Sequence, residues 1–280
     1  MLRRLVAIAA FIFLCAPSLS LAAECEQHFV SGAAPVLVKD QLGRDATEIC
    51  YSGYAVLYSG VSRTPLWSAE HLTADRIEAA QRMKRDNAFH ADPNLPDEVR
   101  SELSDYARTG FDRGHMSPSG DMPDQQSQYE SFSLANMSPQ DPDNNRGLWE
   151  GIESATRSLA LHDGEVFVVT GPLFEGRTVL SLHNRVMVPT GFFKAIYDPF
   201  SGETSAYVVK NVAGMDWQTV SIVELRRRIG IDVFPALPEE VKRQRVDLPP
   251  PTPHYSSHIR KVKPAPMQEL LGDLLRQHEN

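Results

Sequence analysis

Cysteine is scarce here, with three in 280 residues, too few for a structural zinc site that draws on thiolates. Long apolar runs are absent beyond residue 23, and no later segment reads as membrane-spanning. No internal repeat is present. An excess of positive charge is missing too: 28 basic residues stand against 36 acidic ones. A protein that grips a polyanion by blanket phosphate neutralisation is basic, and this one is not. Either it binds no polyanion, or it does so locally, with a metal ion and a few placed arginines. What remains is ordinary: 42% hydrophobic residues and 8% aromatics describe a globular chain long enough for a substantial core.

The first 23 residues stand apart. "MLRRLVAIAAFIFLCAPSLSLAA" has Arg3 and Arg4, an apolar run from Leu5 to Ala16, then small residues at Ser20, Ala22 and Ala23. This predicts a secretory signal peptide cleaved after Ala22 or Ala23, and a periplasmic or secreted protein that meets no membrane afterwards. Glu24 rules out a lipobox at Cys25. Cleavage would remove Cys15 and leave Cys25 and Cys50, a pair expected to form a disulfide in an oxidising compartment. Losing Arg3 and Arg4 leaves 26 basic residues against 36 acidic ones, a net of −10. The organisation expected is a signal peptide at 1–23, one domain at 24–240 and a proline-rich, charged tail at 241–280, with an amphipathic piece at "MQELLGDLLRQ".

Along the domain, "YAVLYS" reads as a strand. Ser68–Arg85 and "DEVRSELSDYARTG" read as helices. "NNRGLWEGIESATRSLALHDG" is a third, with Leu148, Ile152, Ala155 and Leu159 on one face. "EVFVVTGP", "RVMVPTGFFKAIYD" and "ETSAYVVKN" are core strands, and "TVSIVELRRRIGIDVFP" is a closing helix. Trp149 is assigned to the core, and Arg226, Arg227 and Arg228 to a solvated helix face. His71 and His90 lack a chemical context and read as structural.

The chemistry gathers in "FDRGHMSPSGDM", residues 111–122. A nucleophilic serine would need G-x-S-x-G, and Pro118 sits inside a register that already misses it. No carboxylate pair singles out a glycosidase. "DPDNNRGLWEGIE" begins like a calcium loop at Asp141, Asp143 and Asn145, then breaks at Arg146 and Ile152. Taken together, the two segments suggest another site. His115 can act as general base on water once its second ring nitrogen is fixed by a partner. Asn145 offers a neutral oxygen to a hard cation. Glu153 lies about 80° around a regular helix from it, leaning back toward that cation's waters. Arg113 supplies a charge that never titrates, and Gly114 permits close backbone approach. Asp112 is expected to hold the fold through backbone donors, and Arg146 to meet either phosphate or solvent.

Asp112-Arg113-Gly114-His115, then "LANMSPQ", then "NNRGLWEGIE" resemble the DNA/RNA non-specific endonucleases, secreted bacterial nucleases related to mitochondrial endonuclease G. The likeness runs from about Cys25 to Pro238. It implies an α+β domain with a central, mainly antiparallel sheet flanked by helices, and a ββα-metal motif at 111–122 and 136–161. It implies that His115 is the base, Asn145 the direct Mg²⁺ ligand (Mn²⁺ or another divalent cation being the alternative) and Glu153 the holder of a metal-bound water. Asn136 and Arg113 would support the site and the phosphate. Arg85 would be the further upstream arginine, with Lys84 and Arg82 open. The substrates implied are DNA and RNA, cut to 5′-phosphorylated fragments. A homodimer is one oligomeric state open to the chain. Two rivals stand: a narrower metal-dependent phosphodiesterase, and a non-catalytic polyanion-binding protein.

Overall fold

The computed structural model describes residues 25–252, so the expected signal peptide and the amphipathic piece near the end lie outside the described residues. Two strands, β2 (Ala46–Cys50) and β3 (Ala55–Ser59), follow the short β1 (Val36–Leu37) and lead into β4 (Thr64–Thr73) and α1 (Ala74–Gln81). One turn of helix, α2 (Leu103–Tyr106), precedes β5 (Asp112–His115), α3 (Gln125–Ser131) and β6 (Met137–Gln140). Next come α4 (Pro142–Asn144), a π-helical turn (Asn145–Trp149) and α5 (Glu150–Asp163), which run on as one helix. The chain closes through β7 (Glu165–Leu173), β8 (Ser181–Leu182), β9 (Val186–Met187), β10 (Gly191–Asp198), β11 (Glu203–Lys210), β12 (Trp217–Val220), α6 (Ile222–Ile229), β13 (Ile231–Asp232) and α7 (Glu239–Arg243). Seven strands form one antiparallel sheet in the order β12-β11-β10-β7-β4-β3-β2. The α+β expectation holds.

Alternation along the strands separates two cores. Trp67, Val169, Phe193 and Val208 pack with Phe29, Leu225 and Phe234 on one face. Leu72, Val166, Val168, Phe192 and Ile196 pack with Ile77, Trp149 and Ile152 on the other. The second face also carries polar residues in register: Ser68 stands opposite Thr170, which stands opposite Lys194. Lys194 is buried and donates from Nζ to Thr170 Oγ1 at 2.8 Å. The site is built above this polar row, and Trp149 is core as expected.

Several expected elements differ. The helix predicted over Ser68–Arg85 is a strand as far as Thr73. Its even positions face one core and its odd positions the other, so its apolar content satisfies a buried strand equally well. Thr73 then starts the real helix by accepting from the Arg76 N–H at 3.2 Å. The helix predicted around residues 97–110 shrinks to one turn, where the Glu102 N–H donates to Asp105. The closing helix begins at Ile222 rather than Thr219, because Trp217–Val220 extends the sheet edge and Ser221 caps the helix. The tail expected from residue 241 packs on the fold as far as it is described: the Val246 N–H donates to Ser205 Oγ and Tyr207 to Pro249 O. Cys25 and Cys50 are disulfide-bonded with Cα atoms 5.7 Å apart. That bond ties residue 25 to β2 and is worth on the order of 3 kcal/mol in the chain-entropy picture.

Candidate active site

β5 and β6 pair antiparallel, with Arg113 opposite Pro139 and His115 opposite Met137, and the helix from Pro142 to Asp163 comes next in the chain. Two strands and a helix are thus where the motif is expected. In a strand, alternate residues share a face, so Arg113 and His115 point the same way and Gly114 the other. A Cβ on Gly114 would stand 2.0 Å from the Gln140 carboxamide oxygen. Only glycine lets that side chain cross here, on its way to donate to Asn144 Oδ1 at 2.9 Å.

His115 is buried on a bed of aromatic rings. Phe132 meets it edge-on at 4.9 Å and Phe89 at 5.6 Å. The same rings carry two guanidinium groups, Arg113 over Phe89 at 4.2 Å and Arg85 over Phe132 at 5.1 Å, as cation–π contacts do. Neither arginine forms an ion pair with a carboxylate among the described residues. Burial, then Arg85 and Arg113, push the His115 pKa down from 6.5 to about 3, which keeps the ring neutral and free to accept a proton, though as a weaker base than free imidazole. The expected partner on its second nitrogen differs: Nε2 is buried without a hydrogen bond, and ring packing orients the imidazole instead. Arg85 also donates to Ser119 Oγ at 2.8 Å and to Asn87 Oδ1 at 2.9 Å.

Across the cleft, Asp112 organises the helix start. Its Oδ2 accepts from Asn145 Nδ2 at 2.9 Å, and both carboxylate oxygens take Arg146, at 2.6 and 2.8 Å. The role expected for Asp112 through backbone donors is therefore carried by side chains, and Arg146, 69% exposed, is occupied by this carboxylate. With Nδ2 engaged, Asn145 keeps Oδ1 for the cleft it lines. A π turn adds about one residue to the winding, so the eight residues from Asn145 to Glu153 turn like roughly seven. The two side chains then align within about 20° rather than 80°. Glu153 is part-buried, and its pKa is raised to about 7 by burial, against the lowering pull of Arg157 and Lys194.

Asn136 is brought near the site but not into the cleft. Fully buried, it accepts from the Ser117 N–H and donates to Ser117 O and Ser131 O, fixing the turn after His115. His71 and His90 are structural, stacked on Phe167 and Tyr129. Arg226 and Arg228 are held in ion pairs with Asp232, Glu239 and Glu175. Arg157 is a site residue that the sequence reading omits. One turn beyond Glu153, it lines the cleft and bonds buried Asp121 at 2.9 Å. Its i+4 spacing from Glu153 is the signal that could have found it.

The cleft encloses about 970 Å³. Among the described residues no three His, Cys, Asp or Glu side chains cluster to hold a metal ion. Among its lining oxygens, Asn87 Oδ1 and Asp112 are taken by arginines, while Asn145 Oδ1 and the carboxylates of Glu150 and Glu153 are of the kind that suits a hard cation keeping most of its waters.

The profile of the DNA/RNA non-specific endonuclease family matches residues 34–240. The chain is 36% identical over 205 residues to Nuclease C1 of Cunninghamella echinulata var. echinulata, covering 66% of this chain and 81% of that protein. It is 34% identical over 211 residues to the mitochondrial nuclease EXOG of Danio rerio, covering 68% of this chain and 61% of the relative. With mitochondrial endonuclease G of Caenorhabditis elegans it shares 30% over 208 residues, 67% of this chain and 68% of that one. A solved structure of an EndoG/EndoGI complex superposes with a TM-score of 0.61 at 26% identity, over 77% of this chain and all of the other.

Proposed function

Since the chain belongs to the DNA/RNA non-specific endonucleases and is an endonuclease, we propose that it cuts DNA and RNA without sequence preference, using a divalent cation, Mg²⁺ first, with His115 as general base. The observation that carries this is one cleft holding a neutral imidazole, two guanidinium groups without carboxylate partners, and the Asn145 oxygen. Water attacks phosphorus as His115 takes its proton. The bond from phosphorus to the 3′ oxygen breaks, that oxygen gains a proton from solvent, and a 5′-phosphate results. Arg113 and Arg85 face the phosphate oxygens, where charge that cannot titrate stabilises the transition state. Arg157, paired with Asp121, lines the cleft beside them from α5. Asn145 would hold the cation, and Glu153 one of its waters. A bound divalent cation supplies further stabilisation of the developing negative charge.

The domain proposed for this activity spans 24–240, with 1–23 a signal peptide and the protein exported to the periplasm or beyond; the Cys25–Cys50 disulfide supports an oxidising compartment. Supercoiled plasmid and a structured RNA, each incubated with Mg²⁺ or EDTA, test the activity. Wild type should degrade both only with Mg²⁺, and a folded His115→Ala should be slower by about 10²- to 10⁴-fold. Activity surviving that substitution would remove His115 as base. Intact plasmid beside hydrolysis of a small model diester would favour the narrower phosphodiesterase.

A further inference from the structure

Asn145 is anchored from a direction the cleft does not touch. Just past the end of β11, Asn211 is buried and uses its whole carboxamide. Its Oδ1 accepts from the Asp141 N–H at 2.7 Å, and its Nδ2 donates to Pro139 O at 3.0 Å and to Pro189 O at 2.9 Å. Asp141 caps the helix start, accepting from the N–H groups of Asp143 and Asn144, and its carbonyl accepts from the Asn145 N–H at 2.8 Å. Pro139 is the β6 residue opposite Arg113. One residue before Asn211, Lys210 O accepts from Asn144 Nδ2 at 3.2 Å.

The end of the central sheet therefore grips both halves of the site. One half is the hairpin that presents Arg113 and His115; the other is the helix start that presents Asn145. An apolar residue at 211 would leave buried backbone groups of three segments without partners, a costly change for each. The hairpin strands are four residues each and meet the helix start directly only through the side chains of Asp112 and Gln140 among the bonds described above, so a tie of both to the sheet adds to how firmly their separation is set.

We propose that Asn211 is a positioning residue of this nuclease site, setting where Asn145 stands relative to Arg113 and His115 by joining β6 and the helix start to the end of β11. This rests on the reading of Asn145 as the residue that holds the cation. Asn211 touches neither substrate nor cation; it acts through Pro139, Asp141 and Asn145.

The test uses the full mature chain and Mn²⁺ alone as probe, with binding followed by electron paramagnetic resonance in the absence of nucleic acid. Asn211→Ala should weaken Mn²⁺ binding by about tenfold, as loss of outer support for a metal ligand does. Amide exchange in residues 137–149 should quicken, and kcat on plasmid should fall while KM stays within about twofold. Asn211→Asp keeps the acceptor for Asp141 but not the donors for the two carbonyls, and should lie between Ala and wild type; it carries the test should Asn211→Ala fail to fold. Leu225→Ala, in the core on the opposite sheet face, should lower Tm without changing Mn²⁺ affinity. The proposal is overturned if both Asn211 variants bind Mn²⁺ like wild type, or no worse than Leu225→Ala, while Asn145→Ala loses binding. Unchanged binding in Asn145→Ala would instead overturn the metal reading, and this proposal with it.

Discussion

Two guanidinium groups flank His115, and the price of placing them there is a site that opposes protonation of its own base. Glu153 shows the complementary cost. Its pKa lies at about 7, above the ordinary carboxylate value, chiefly because it is buried. A group raised in this way contributes stability fully below its unfolded value of about 4.5 and loses it as pH rises through about 7. In metal-free protein at pH 8 the ionised carboxylate is therefore a burden. Glu153→Gln should be more stable than wild type there by about 1–2 kcal/mol, after allowance for solvent screening, and the gain should vanish at pH 4. Thermal unfolding in EDTA at the two pH values checks this; a variant less stable than wild type at pH 8 would show that Glu153 is held by interactions rather than strained. The loss of nuclease activity expected from the same change would make stability and function trade at one residue. His115, Asn145 and Glu153, which the sequence sets apart in two short blocks, line one cleft. Arg157 and Asn211 are less legible in the sequence: the partners that give them meaning, Asp121, Pro139 and Pro189, lie 22 to 72 residues away.

At the scale of elements, the helix that carries Asn145 and Glu153 is not a regular one. The π turn at Asn145–Trp149 is what brings the two onto one side, whereas a count at 3.6 residues per turn sets them about 80° apart. Periodicity reveals the helix but not the inserted residue, because Leu148, Ile152 and Leu159 suit either winding. The same weakness explains β4. Apolar and polar residues from Ser68 to Thr73 fit a helix or a strand buried on both faces, and only pairing with β3 and β7 decides. Deleting Gly147, against which nothing packs where a side chain would begin, should restore α-helical winding. Seven residues would then separate Asn145 from Glu153 and turn by about 700°, so the two side chains should stay within about 20° of each other. Plasmid cleavage is expected to remain within about tenfold of wild type, with far-UV circular dichroism unchanged. A drop of more than about 100-fold in a folded variant would mean that the π turn provides something other than the alignment of Asn145 with Glu153.

For the molecule as a whole, the acidic balance becomes part of the design. A chain with 36 acidic residues against 28 basic ones repels nucleic acid at a distance, so attraction must be concentrated in the cleft. There Arg85 and Arg113 have no carboxylate partner among the described residues, whereas Arg146 and Arg228 are each paired with one and Arg226 with two. The number of phosphates neutralised should then be small. For duplex DNA each released counterion contributes about −0.9 to the slope of log affinity against log salt, so two free arginines give a slope near −2. Plasmid binding in EDTA, or kcat/KM at fixed Mg²⁺, measured from low to moderate NaCl, should show that shallow dependence. Arg85→Ala should flatten it by about one, and Arg227→Ala, on the solvated face of α6, should leave it unchanged. A slope of −6 or steeper would require a broad basic surface, and the case for a nuclease that relies on a few placed charges would fail. A shallow slope fits a charge distribution that ignores polyanions except where they can be cut.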